Sequence, residues 1–255
     1  MDTPETRDPL DGWARGEHTA DGVAHTTYRK GTGPGVVMIH ELPGLTPECI
    51  RFGEEIVARG HTVVMPVLFG EAGAPASGKA FRGAVRDLCV SREFHAFALR
   101  RTSPVAGWLR SLARDLHDEL GGPGVGAVGM CFTGGFALAM LADAPIAAPV
   151  LAQPSTPFPL GRRRAADLGL GADDVAAVRA KVAGGCQVLG VRYAGDRAVG
   201  TRFETLRRAL GESFLTVEPP GAKHSTLTAH RDDGAVERVL DFFDEKLGVA
   251  GGQTP

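Results

Sequence analysis

The chain has 255 residues, 43% of them hydrophobic and 23% charged, a balance that excludes disordered and fibrous classes. Lys and Arg total 28 against 30 Asp and Glu, so the net charge of −2 gives no long-range field of one sign and argues against a nucleic-acid binder or a polybasic membrane anchor. With 35 Gly and 17 Pro, the composition favours turns and close backbone approaches over a helical bundle.

Residues 1–16 carry Asp2, Glu5, Arg7, Asp8 and Arg15 without an apolar core, and are expected to be an extension rather than a signal peptide. His18 to Tyr28 alternates loosely around Asp21-Gly22, the dipeptide of a tight hairpin turn. Gly35 to His40 is a continuous apolar run of strand length, the pattern of a central strand covered on both faces. A helix is then predicted with Thr46 as its cap, Pro47 at its first position and Gly60 at its end. His61 to Val67 is a second buried strand, Gly70 to Ala80 a loop, and Phe81 to Leu120 mostly helical with a break near Ser103-Pro104.

Gly121 to Ala142 runs 22 residues without a charge, which is membrane-span length, yet it contains seven glycines and a proline. A buried strand over Val125 to Met130 followed by a helix over Thr133 to Leu141 explains it better, and no membrane association is expected. Ala147 to Ala152 is strand-like despite Pro149, Ala172 to Val182 a helix after the basic turn Arg162-Arg163-Arg164, and Gln187 to Tyr193 a strand. Thr201 to Leu210 is a helix, Ser213 to Val217 a final strand, Gly234 to Leu247 an amphipathic closing helix, and 248–255 a flexible tail. No linker divides residues 17–247, so one domain with a mostly parallel sheet and helices on both faces is predicted.

The cysteines, Cys49, Cys89, Cys131 and Cys186, include no CxxC pair, so structural zinc and dithiol redox chemistry lose their usual support. Free thiols in a reducing cytoplasm are the expectation. Ligands of open parallel sheets bind beyond the C-terminal strand ends. The reactive residues just after predicted strands are His40-Glu41, Cys131, Asp196 and His224.

Gly129-Met-Cys131-Phe-Thr133-Gly-Gly135 has the form of a nucleophile elbow, a sharp strand-to-helix turn with the reactive residue at its tip. Gly129 supplies the small residue two positions before Cys131, whereas Thr133, two positions after, departs from the usual glycine. A thiol facing a helix N-terminus is favoured as thiolate; the competing reading is a small buried core thiol. Asp196 and His224 follow in the order in which an orienting acid and a base follow such a nucleophile. The competing readings are a turn aspartate and a surface histidine, with His230 a weaker rival base.

Four segments together resemble the dienelactone hydrolase family of α/β-hydrolases, in which cysteine replaces serine at the elbow: His40-Glu41-Leu42-Pro43-Gly44-Leu45, Gly129-Met130-Cys131-Phe132, Gly195-Asp196 with Val199 after it, and Lys223-His224-Ser225. The resemblance spans roughly Gly35 to Leu247. It implies an α/β-hydrolase fold and a Cys131-His224-Asp196 triad acting on a small ester or lactone, with Glu41 helping to form the thiolate. The oxyanion would lie at the backbone N–H groups of Leu42 and Phe132. No cofactor and no metal are implied, and the chain is expected to be a monomer or small homo-oligomer.

Thr228 stands where family members acting on dienelactone have a substrate-binding arginine, so dienelactone itself does not carry over. Arg82, Arg86, Arg92, Arg100 and Arg101 are candidate replacements, each competing with a solvated helix face. Two alternatives stay open: thioesterase or acyl-transfer chemistry on the same triad, and a non-catalytic scaffold whose Cys131 senses oxidants.

Overall fold

The structure, a computed structural model, describes residues 8–90, 93–94 and 99–248. Asp21 and Gly22, both left-handed at φ 51° and 76°, turn β1 (Ala14–Ala20) back onto β2 (Val23–Lys30). Two positive φ values are what a two-residue hairpin of matching twist requires. β1 begins inside the stretch read as an extension, and Trp13 just before it is buried. Residues 1–7 of that stretch and 249–255 of the predicted tail lie outside the described residues.

The remaining strands are β3 (Gly35–Ile39), β4 (Thr62–Pro66), β5 (Val125–Met130), β6 (Ile146–Ala152), β7 (Val188–Val191) and β8 (Phe214–Val217). They form one sheet in the order β1-β2-β4-β3-β5-β6-β7-β8. β2 meets β4 antiparallel, and from β4 to β8 every pair is parallel. The apolar runs have the physical cause anticipated for them. β3 alternates Val36 and Met38 into one core with Val37 and Ile39 into the other, so both faces are covered.

α1 (Pro47–Ala58) and α8 (Asp233–Leu247) cover one face. Thr46 caps α1, accepting from Cys49 N–H, and the helix buries Ile50, Phe52 and Ile56. Each such side chain contributes about 1.5–3 kcal/mol by leaving water. The other face carries α3 (Val105–Leu120), α4 (Phe136–Leu141), α6 (Ala172–Ala183) and α7 (Arg202–Leu210). α2 (Gly78–Val90) and the short α5 (Arg162–Ala165) complete the set. No described helix is long and apolar enough to cross a membrane.

Two boundaries near the candidate site differ from the sequence reading. The helix expected from Thr133 starts at Phe136, after a 3-10 turn over Cys131–Thr133. Gly134 is pressed against the chain there: a Cβ on it would lie 2.6 Å from Pro154 Cα. β7 ends at Val191, although Arg192 and Ala194 still donate to the carbonyls of Val217 and Pro219 and so keep that segment beside the chain leaving β8. Pro149 is tolerated because β7 pairs with β6 only from Val150 onward.

Candidate active site

β5 delivers Cys131 to the C-terminal edge of the sheet in a left-handed backbone conformation, φ 55°. That conformation costs about 1–2 kcal/mol for a residue with a Cβ. The turn is held by what surrounds it. A Cβ on Gly129 would stand 2.2 Å from the Thr133 carbonyl oxygen, which leaves no room for a larger residue. Thr133, the departure from the elbow pattern, has its own function in the turn. Its buried hydroxyl accepts from Met130 N–H at 3.0 Å and lies 3.0 Å from the His40 carbonyl oxygen, tying the end of β5 to the end of β3. Gly129→Ala should therefore lower stability by about 1–3 kcal/mol, the usual penalty of overpacking, measured by denaturant unfolding. An unchanged midpoint would mean that the turn gives way freely.

The loop after β7 places Asp196, and the loop after β8 brings His224 to it. Asp196 Oδ2 lies 2.6 Å from His224 Nδ1, while Oδ1 accepts the Ala198 N–H at 3.0 Å. Both oxygens of this buried carboxylate are thus engaged. Burial alone would lower the His224 pKa, but the hydrogen bond to Asp196 and the Cys131 sulfur more than offset it and raise it to about 10. His230 is turned to another use. Its Nδ1 contacts the His224 carbonyl at 2.6 Å, and its own carbonyl accepts from the Tyr193 hydroxyl, so it braces the loop.

Glu41 follows β3 and is 4% exposed. It sits in a cradle of donors. Thr228 Oγ1 donates to Oε1, Ser225 Oγ donates to Oε2 at 2.8 Å, and Gln153 Nε2 approaches Oε2 at 3.4 Å. Burial raises the Glu41 pKa, and these hydrogen bonds with the nearby His224 charge offset only part of that. A carboxylate oxygen of Glu41, the Cys131 sulfur and a ring nitrogen of His224 all lie within 4.8 Å of one another. These are donor types that zinc accepts, and the trio is the one such cluster among the described residues.

The structure therefore brings Cys131, Asp196, His224 and Glu41 to one edge of the sheet, together with residues that sequence reasoning missed. Gln153 directly follows β6 in a left-handed conformation, φ 36°, and bridges Glu41 to the Thr226 N–H. Ser155 donates its N–H to the Cys131 carbonyl, and its hydroxyl lies 3.5 Å from the sulfur. Both follow a strand end, the very signal used for the others. Leu42 and Phe132 follow Glu41 and Cys131. Phe132 is buried among Phe69, Phe94, Phe136 and Phe158 at centroid distances of 5.7–6.2 Å.

His40 is a fastener. Leu68 N–H donates to its Nε2, so Nδ1 carries the proton and donates to the Glu41 carbonyl; burial lowers its pKa to about 4 and keeps it neutral. Of the candidate arginines, Arg82 and Arg86 lie on α2, Arg100 and Arg101 line clefts near α6 and α4 respectively, and Arg92 is outside the described residues.

The sequence model of the Dienelactone hydrolase family matches residues 21–162, a stretch that includes Glu41 and Cys131 and ends before Asp196 and His224. No curated protein matches the chain. Among solved structures, a dienelactone hydrolase-like promiscuous phosphotriesterase from metagenomic libraries aligns over 92% of this chain and 98% of its own, with a TM-score of 0.61 and 18% identity. The 2,6-dihydroxy-pseudo-oxynicotine hydrolase covers 94% of this chain and 69% of its own at TM-score 0.62 and 15% identity. A zinc-bound cold-adapted esterase from an Arctic intertidal metagenomic library covers 92% and 93% at TM-score 0.57 and 15% identity. At such identities the likeness is one of fold, and the fold is that of the α/β-hydrolases.

Proposed function

The chain belongs to the dienelactone hydrolase family of hydrolases, and from that premise we propose that it cleaves a small carboxylic ester or lactone with Cys131 as nucleophile. The convergence of the Cys131 sulfur, the His224 imidazole and the Glu41 carboxylate within 4.8 Å, at a backbone turn that exposes the thiol, carries this reading.

In the proposed reaction the thiol proton passes to Glu41, whose burial makes its carboxylate a stronger base than a solvated one. The thiolate attacks the substrate carbonyl carbon, and the oxygen, now negative, takes hydrogen bonds from the N–H groups of Leu42 and Phe132. As the C–O bond breaks, the His224 imidazolium, held by Asp196, protonates the departing oxygen. The resulting neutral His224 then takes a proton from water, the hydroxide attacks the thioester, and the thiolate leaves and recovers its proton from Glu41. Thr228 is committed to Glu41, so an anionic substrate group finds no partner at that position.

The test is a screen of p-nitrophenyl esters and small lactones, run with and without iodoacetamide. Cys49 is fully buried and its thiol pushed up to about 12 by burial; Cys186, half-buried like Cys131, is also raised by burial, while Cys131 stands at the strand-to-helix turn. Iodoacetamide should thus modify Cys131 before Cys49 and Cys186, with hydrolysis lost in step. The Cys89 side chain lies outside the described residues. Hydrolysis that survives complete modification of Cys131 would place the nucleophile elsewhere.

A further inference from the structure

Against α5, α6 and α7 lies a cleft of about 970 Å³, lined by none of the residues of the candidate active site. Arg163 reaches it from α5, Arg179 from α6, Arg208 from α7 and Arg100 from the segment before α3. The one acid among its lining residues is Asp167. Both Asp167 oxygens are engaged by backbone, accepting the N–H groups of Gly169 at 2.8 Å and Arg100 at 3.1 Å. Among the described residues none of the four guanidinium groups joins an ion pair; Arg208 alone makes a side-chain hydrogen bond, to Thr205 Oγ1. Its lining residues therefore carry a surplus of three positive charges, on four arginines that are exposed to solvent, in a protein whose net charge is −2. Leu168, Leu170 and Val175 contribute apolar surface to the same lining.

Like charges around one concavity repel, and a multiply charged anion removes that repulsion. Guanidinium groups match phosphate oxygens in geometry and charge. A lone carboxylate would leave most of the surplus uncompensated, whereas a diphosphate carries a charge of the required size. The volume falls within the range of small-molecule sites, and the apolar surface suits the organic body of a ligand. An open cleft bounded by three helices fits a small molecule better than a membrane or a nucleic acid, which need a continuous basic face. We infer that this cleft binds an organic di- or triphosphate of nucleotide size, at a site separate from Cys131.

Equilibrium dialysis of the full chain with ADP, adenosine and inorganic phosphate tests the inference. ADP should bind, adenosine should not at the same concentration, and inorganic phosphate should bind more weakly than ADP. Arg179→Glu and Arg208→Glu should each weaken ADP binding about tenfold or more, the worth of one charge-assisted contact. Neither substitution should change the hydrolysis of p-nitrophenyl acetate or the melting temperature. Arg179→Gln and Arg208→Gln serve if a charge reversal disturbs folding. No ADP binding at concentrations of about 1 mM, ADP affinity unchanged in both variants, or adenosine or phosphate binding as tightly as ADP would overturn the proposal. Binding is read without substrate turnover, so the result is independent of the hydrolytic reading.

Discussion

Cys131→Ala is expected to lower kcat for ester hydrolysis by on the order of 10⁴–10⁶ while leaving the fold intact. The loss is large because no other group takes over the bond-forming step, and whatever rate remains would come from oxyanion stabilisation and substrate positioning alone. Stability should change little, since the partly buried side chain only borders the core and the supporting side-chain and backbone bonds of the turn come from Thr133 and Ser155. Cys131→Ser should also be poor, because a hydroxyl is far harder to ionise than a thiol in a site arranged for thiolate. Steady-state kinetics on p-nitrophenyl acetate, paired with a melting curve, reads both. An alanine variant that keeps a substantial part of wild-type turnover would end the assignment of Cys131 as nucleophile.

Glu41→Gln should reduce kcat by about 10²–10⁴, with KM little affected, because the amide keeps the size of the side chain but cannot accept the thiol proton. The structure sharpens the reason. The carboxylate is buried with three side-chain partners, so its replacement leaves Cys131, His224 and Asp196 in place and removes one acceptor. The alternative is that His224 alone activates the thiol and Glu41 only packs the loop. A Glu41→Gln enzyme within about threefold of wild type would establish that alternative, since general-base losses are far larger.

The sheet could be read from the chain because its central strands are buried on both faces, which forces unbroken apolar runs such as Gly35 to Ile39 and Val125 to Met130. The positions of Glu41, Cys131, Asp196 and His224 were legible from the same rule, since each follows a strand end. Other features were not. The hydroxyls of Thr228 and Ser225 become partners of Glu41 only through contacts 187 and 184 residues apart in the chain, which no local pattern records. Thr133 read as a defect in the elbow because its value lies in bonds to β3 and β5 that exist only after these strands pair. The four arginines of that cleft come from four separate segments; Arg163 stood in a basic run and Arg100 among the candidate arginines, but nothing local joined them to Arg179 and Arg208.

The sheet order also governs when the protein can begin to act. A chain made from its N-terminus emerges with β3 and β5, which lead into Glu41 and Cys131, already able to pair, while Asp196 and His224 arrive later in the loops after β7 and β8 at the edge. Until residue 228 has been synthesised, Glu41 lacks its Thr228 donor and the thiol lacks its imidazole. Loop closure over such separations is slow relative to local folding. Under the proposed mechanism, the nascent chain would therefore carry Cys131 without its partners until the last edge of the sheet docks.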